Sequence, residues 1–223
     1  MQAIDLTHTF SNTMPRYQGM PAPCFEETAT LARDGYAMTD LHFMNHLGTH
    51  VDAPAHLVPG ATLDELSLSR FVTQAIVLDF STHARGPISC VEIEPYLPSI
   101  GPGETVLLYS GGARYWGTDA YWQGWCYPDE EAAHALLARK ISAIGFDGPS
   151  ADPVDTETFA LHRTWLSAGC LLLENLTNLD LLPRCPEHVL LVIAPLKLHH
   201  ANGAPARVFA LLAENASERD RYV

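Results

Sequence analysis

Short apolar runs separated by turn residues recur along the chain. "QAIVLDFS", "ETVLLYSG", "ISAIGFD", "CLLLENL", "HVLLVIAPL" and "ARVFALL" have the length and the flanking residues of buried strands. "AIDLTHTF" alternates enough to open the fold as a strand, and "CFEETATL" reads as another. "YAMTDLHFMNHLGTHVDAPAHL" reads as a strand that leads into a histidine-rich segment. Between the first two strands, "TMPRYQGMPAP" carries three prolines and a glycine and is an ordered turn or loop. Two or three helices are expected. "SCVEIEPYLPSI" is short and ends at Pro98 and "GPG". "PDEEAAHALLARK" is the clearest, with Asp129, Glu130 and Glu131 at its start and Arg139 and Lys140 at its end, as the helix dipole favours. Its apolar face is Ala132, Leu136 and Leu137. "TETFALHRTWLSAG" is the third, closed by Gly169. Strands dominate, so the pattern predicts an α/β or α+β fold in a single domain over 1–223, with a mixed or barrel-like sheet.

Composition agrees with a globular chain. The 223 residues are 47% hydrophobic and 17% charged, enough to build a sizeable core. The net charge of -13 repels phosphate backbones and anionic lipid, so no nucleic-acid or membrane partner is expected. No apolar stretch approaches the roughly 18 residues of a membrane span. "MQAIDLTHTF" has no basic region followed by an apolar run, so no secretory signal is expected. The five cysteines are scattered and form no CxxC pair. That argues against a disulfide framework or a thiolate zinc knuckle, and for free thiols in a cytoplasmic protein.

The chemistry concentrates in "HLGTHVDAPAH", from His46 to His56. Imidazole and carboxylate are the common ligands of zinc and its first-row neighbours. His46 and His50 have the four-residue spacing of a helical metal site, but Gly48 weakens a helix and Pro54 breaks one. The alternative is a turn at Leu47–Gly48 followed by a short extended segment. His50 and Asp52 then point to the same side, and the turn returns His46 beside them. This His-His-Asp face leaves coordination positions open, as a catalytic metal requires. His56 lies past the bend at Pro54, placed to act as general acid and base. Glu174, inside the apolar run "CLLLENL", needs a buried partner, and a metal would be one.

The segment resembles the HxGTHxDxPxH signature of the cyclase family of metal-dependent hydrolases, which includes bacterial kynurenine formamidases. His46, Gly48, Thr49, His50, Asp52, Pro54 and His56 fill every position. "GFDGPSADP", "LHRTWLSAGCLLLENLTNLDLL" and "APLKLHHANGAPARVFAL" resemble later family blocks, so the similarity covers nearly the whole chain. The resemblance implies the swivelling β/β/α fold. It implies that His46, His50 and Asp52 hold one divalent ion, Zn2+ or Mn2+. His162 and Glu174 would complete a second site, with Asp52 and Glu174 bridging, so that each subunit would take one or two ions. His56 would be the proton shuttle.

The implied reaction is hydrolysis of a small aromatic amide such as N-formylkynurenine. The alternatives are a cyclic amide or lactone, as in isatin hydrolase, and a non-catalytic metal- or ligand-binding protein. The binding loop departs from the formamidase pattern. Tyr17 stands where a tryptophan is usual and Met20 where an aspartate is usual, which bears on substrate more than on chemistry. Tyr17 remains a candidate substrate contact.

"GGARYWGTDAYWQGWCYP" holds three of the four tryptophans. It suits a pocket wall for a flat substrate, or a subunit interface in a homodimer or homotetramer. His199 and His200 have no carboxylate near them in sequence and read as a loop. No GxSxG elbow points to a serine hydrolase.

Overall fold

The computed structural model describes residues 1–212, and positions 213–223 of the expected domain lie outside the described residues. In chain order the elements are β1 (Gln2–Asp5), β2 (Cys24–Ala29), α1 (Leu31–Asp34), β3 (Met38–His42), β4 (His50–Asp52), β5 (Val72–Asp79), β6 (Gly86–Ile88) and α2 (Cys90–Ile93). There follow β7 (Thr105–Tyr109), β8 (Cys126–Pro128), α3 (Glu130–Ala138), β9 (Ala143–Phe146), α4 (Ala160–Ser167), β10 (Leu171–Glu174), β11 (His188–Pro195) and β12 (Gly203–Leu212).

The main sheet runs β1-β12-β11-β5-β7-β9-β10-β4, and β4 also pairs with β12. That last pairing closes β4, β12, β11, β5, β7, β9 and β10 into a ring, the barrel-like mixed sheet expected from the pattern. Strands β5, β7, β9 and β10 are parallel to their neighbours among them. Strand β11 is antiparallel to β5 and β12, and β4 is antiparallel to β10 and β12. Closure depends on the length of β12, which pairs with β4 through Gly203–Pro205 and with β1 near its end.

Strand alternation splits the apolar residues into two cores. Val51, Ala75, Val77, Leu107, Leu173 and Leu191 belong to the cluster inside the ring. Ile76, Leu78, Val106, Ile144 and Leu172 pack outward with Leu136 of α3 and Trp165 of α4. The interior is full at Gly145, where a Cβ would lie 2.8 Å from both Leu107 Cδ2 and Leu176 Cδ1. The same alternation positions the chemistry. Val51 points inward on β4, so His50 and Asp52 point outward. Leu173 points inward on β10, so Glu174 points outward. The register sets Glu174 opposite His50.

Local signals explain most boundaries. Asp129 caps α3 by accepting the Ala132 N–H at 2.7 Å, and Arg139 is the C-cap. Gly169 follows α4 with φ +74°. The "SCVEIEPYLPSI" helix is α-helical only over α2 and continues as a 3-10 turn through Ser99. Pro95 and Pro98 each remove a backbone donor, so the chain tightens there and Pro98 lies inside the turn. The first strand is shorter than expected. It ends at Asp5, and Thr7 instead makes an isolated bridge with Leu176 while its hydroxyl donates to Val208 O. Strands β2 and β3 pair apart from the barrel, with Met38 and Leu41 exposed. Among the described residues no helix is long and apolar enough to cross a membrane.

Candidate metal centre

Gly48 makes the turn at the head of the histidine segment, with φ +61°. A Cβ there would meet Met14 Cε at 2.5 Å and Phe10 Cε2 at 2.8 Å, so both conformation and space require glycine. The chain then extends as β4, and Pro54 opens a 3-10 turn that ends at His56. The turn followed by a short strand is the geometry expected from sequence.

The side chains converge on the outer face of β4 and β10. His46 Nδ1 lies 2.6 Å from Asp52 Oδ1. His50 Nδ1 donates to Gly48 O at 2.8 Å. That fixes its ring, and its Nε2 faces Asp52 Oδ1 at 3.3 Å and Glu174 Oε2 at 3.5 Å. His162 arrives from α4 with Nε2 at 3.1 Å from Glu174 Oε1 and 3.8 Å from Asp52 Oδ2. His56 stacks on the ring of His46, with centroids 3.9 Å apart. Donor atoms of His46, Asp52 and His56 all lie within 4.8 Å of one another, as do those of His50, Asp52 and Glu174. All six sequence candidates for metal and proton chemistry therefore meet in one place, with Asp52 common to both groups.

Three supporting residues escaped the sequence reading. Asp152 accepts the N–H groups of Leu161 at 2.9 Å and His162 at 3.0 Å, and it also accepts from His162 Nδ1. It thereby anchors the start of α4 and aims Nε2 at the cluster. Asn202 Oδ1 faces His46 Nε2 at 3.0 Å and accepts from Asn45 Nδ2 at 2.6 Å. Asn175 donates to Gly48 O at 3.0 Å and accepts from Tyr121 Oη at 2.8 Å, which ties the glycine turn to the barrel wall. Asn175 also holds φ +58°, a conformation that asparagine tolerates better than most residues. An Asn directly after a buried Glu was the visible signal for it.

Electrostatics make the cluster receptive to a cation. Asp52 Oδ2 is buried and, among the described residues, has no hydrogen-bond partner. Leaving a buried carboxylate oxygen without a hydrogen bond is costly, and a divalent ion would remove that cost. Burial alone would lower the His50 pKa, but Asp52 and Glu174 outweigh it and raise it to about 9. For His162 burial also opposes the charge, but Asp152 and Glu174 hold it up at about 10. Asp52 is correspondingly well below the carboxylate range. Protons on the two imidazoles thus balance the carboxylates, and a cation can replace them. The donor set of imidazoles and carboxylates fits zinc or manganese. His56 differs. Burial lowers its pKa to about 4, Asp52 opposes this, and His46 and His162 add to it.

The cluster forms the floor of a cavity of about 360 Å³, whose walls include Tyr17, Met20, Trp122, Trp125 and Phe159. Tyr17 meets Trp122 edge-on at 5.7 Å. Phe159 takes a left-handed backbone with φ +52° and sets its ring edge-on to His162 at 5.9 Å. Of the aromatic segment, Trp122 and Trp125 are pocket wall, whereas Trp116 stacks on His8 at 4.0 Å.

A closed mixed barrel with a buried His, Asp and Glu cluster under an aromatic cavity defines a protein with a candidate catalytic metal centre. The chain belongs to the Cyclase family, whose model matches residues 4–153. It is 29% identical over 211 residues to a kynurenine formamidase of Salinibacter ruber, an alignment that covers 93% of this chain and 96% of that one. It is 27% identical over 194 residues to an isatin hydrolase of Roseibium aggregatum, covering 75% of this chain and 72% of that one. Its fold matches the crystal structure of an isatin hydrolase bound to the product analogue thioisatinate, with TM-score 0.88, 24% identity, and coverage of 96% and 93%.

Proposed function

We propose that this chain, as one catalytic domain over 1–223, hydrolyses a non-peptide amide bond in a small aromatic substrate with the help of a divalent cation. The observation that carries this reading is the buried Asp52 Oδ2, which accepts no hydrogen bond among the described residues, amid His46, His50, His162 and Glu174 on the floor of an aromatic cavity. In this reading His46, His50 and Asp52 hold one ion, and His162 and Glu174 complete a second site that shares Asp52. Zinc or manganese, one or two ions per subunit, suits these donors. When bound, the cation acidifies water and offsets negative charge on the substrate carbonyl oxygen.

The chain's own residues do the rest. His56 is neutral at physiological pH because it is buried, so it can accept a proton from water. It returns that proton to the leaving nitrogen, which departs as a neutral amine. Tyr17, Trp122 and Trp125 hold the aromatic ring and exclude water from its faces. Asp152 keeps the His162 ring fixed by accepting from its Nδ1.

The best-defined substrate is N-formylkynurenine, which with water gives formate and kynurenine. The similarity to a kynurenine formamidase supports it. A second reading, opening of a cyclic amide such as isatin, draws support from the isatin hydrolase relative and from the altered loop at Tyr17. The five cysteines are free, which suits a reducing cytoplasm. The exposed β2–β3 hairpin supports a homodimer or homotetramer, which sedimentation would measure.

The test is an assay of metal-restored protein against N-formylkynurenine, formanilides, isatin and lactones. Turnover of an amide is expected, and His56→Ala should reduce kcat by about 10²–10⁴-fold with metal content unchanged. Bound metal with no turnover of any substrate would instead favour a binding protein.

A further inference from the structure

We infer that Asp64, His199 and His200 form a second, surface site for a divalent cation of the zinc class, separate from the cluster in the barrel wall. In sequence the two histidines lack a carboxylate, but the fold supplies one. Donor atoms from Asp64, His199 and His200 all lie within 4.8 Å of one another. His199 Nδ1 is 3.5 Å from Asp64 Oδ2. The Thr62 hydroxyl donates to Asp64 Oδ1 at 2.7 Å, which leaves Oδ2 turned toward the imidazole.

The segments that carry the three ligands are tied together before any ion arrives. Asp64 sits in the 3-10 turn Leu63–Glu65, whose Leu63 N–H donates to Ala201 O at 2.9 Å. That bond pins the turn against the loop that carries the histidines. His200 adopts φ +53°, a left-handed conformation uncommon for a residue with a side chain. It lays its ring 3.8 Å from that of His199. A shared cation would reward two imidazoles held so close. Two imidazoles and one carboxylate are a zinc donor set, and the exposed face leaves a position for water. The net charge of -13 raises the local cation concentration. The site also lies beside Asn202, so an ion there would stiffen the segment that faces His46.

Equilibrium dialysis at about 10 μM free zinc, a concentration that a micromolar site fills, tests the assignment. Zinc per chain would be counted in the wild type, His199→Ala, Asp64→Asn and, as a control, His134→Ala. His134 is an exposed histidine beside Glu130 on α3. Loss of one equivalent in both His199→Ala and Asp64→Asn, with none lost in His134→Ala, is the expected result. Equal zinc in all four proteins overturns the site. So does a loss confined to His199→Ala, because the carboxylate is then not a ligand, and so does a loss in His134→Ala, because surface histidines then bind zinc without a built site. The two histidines are exposed and Asp64 is half-buried, and thermal melts matching the wild type would show that each variant is folded.

Discussion

Gly203 lies against the ring of His46: a Cβ on it would stand 2.3 Å from His46 Cε1 and 2.8 Å from both ring nitrogens. Gly203 pairs with Asp52 where β12 meets β4, so barrel closure and His46 placement share one position. Gly203→Ala should displace the ring while the barrel remains closed. Metal affinity is expected to fall by about 10–100-fold, the scale of lost ligand orientation. Metal counting by atomic absorption with a circular dichroism spectrum checks it. Full metal binding in a folded variant would show that the ring has another place to go.

Asp152 orients His162 from behind. Asp152→Asn keeps the shape but weakens the acceptor for Nδ1 and for the two N–H groups at the start of α4. Metal affinity should drop by about 10–100-fold. Calorimetric titration of the metal-free protein with zinc would measure it, and an unchanged affinity would exclude the orienting role.

His8 gives the molecule an acid-sensitive point outside the cluster. It is stacked on Trp116, and burial lowers its pKa from 6.5 to about 4. The folded chain therefore binds the proton less readily than the unfolded one. Stability from this group is complete above about pH 6.5 and is lost as pH falls toward 4. His8→Phe keeps the stack and removes the titration, so the decline of urea midpoints over this range should be shallower than in the wild type. A nuclear magnetic resonance titration placing His8 near 6.5 would contradict the argument.

Gly145 tests the barrel interior. A methyl group at this position is forced onto Leu107 and Leu176 at 2.8 Å. Gly145→Ala should cost about 1–3 kcal/mol through overpacking. At this chain length that corresponds to roughly 2–4 °C in Tm per kcal/mol, readable by calorimetry.

Tyr17 tests the cavity wall. It touches Trp122 rather than the cluster, so its contribution is to binding more than to chemistry. Tyr17→Ala is expected to raise KM for an aromatic substrate about 2–10-fold, the scale of one aromatic contact, with kcat little changed. A fall in kcat at constant KM would place Tyr17 in the reaction itself.

The element pattern was legible because burial writes periodicity into the chain. The apolar runs became β5, β7, β9, β10, β11 and β12, and the charge order of "PDEEAAHALLARK" marked α3. Strand partners were not legible, since alternation says which face is buried but not which strand lies beside it. The supporting residues were hidden for the same reason. Asn202 acts on a histidine 156 residues away, and Asp152, although only ten residues before His162, reaches that ring only because the chain folds back at the start of α4.

By itself the sequence determined the bend in "HLGTHVDAPAH". Gly48 and Pro54 exclude a helix, and the two-residue spacing then puts His50 and Asp52 on one face of an extended segment. The family resemblance named His162 and Glu174 as the other half. Only the tertiary structure decided that the halves meet. Register on β4 and β10 sets Glu174 opposite His50, α4 delivers His162, and β12 closes the ring over β4. The same closure brings Asp64 to His199 and His200. These contacts join residues distant along the chain, and packing of the two cores, rather than any local preference, fixes their positions.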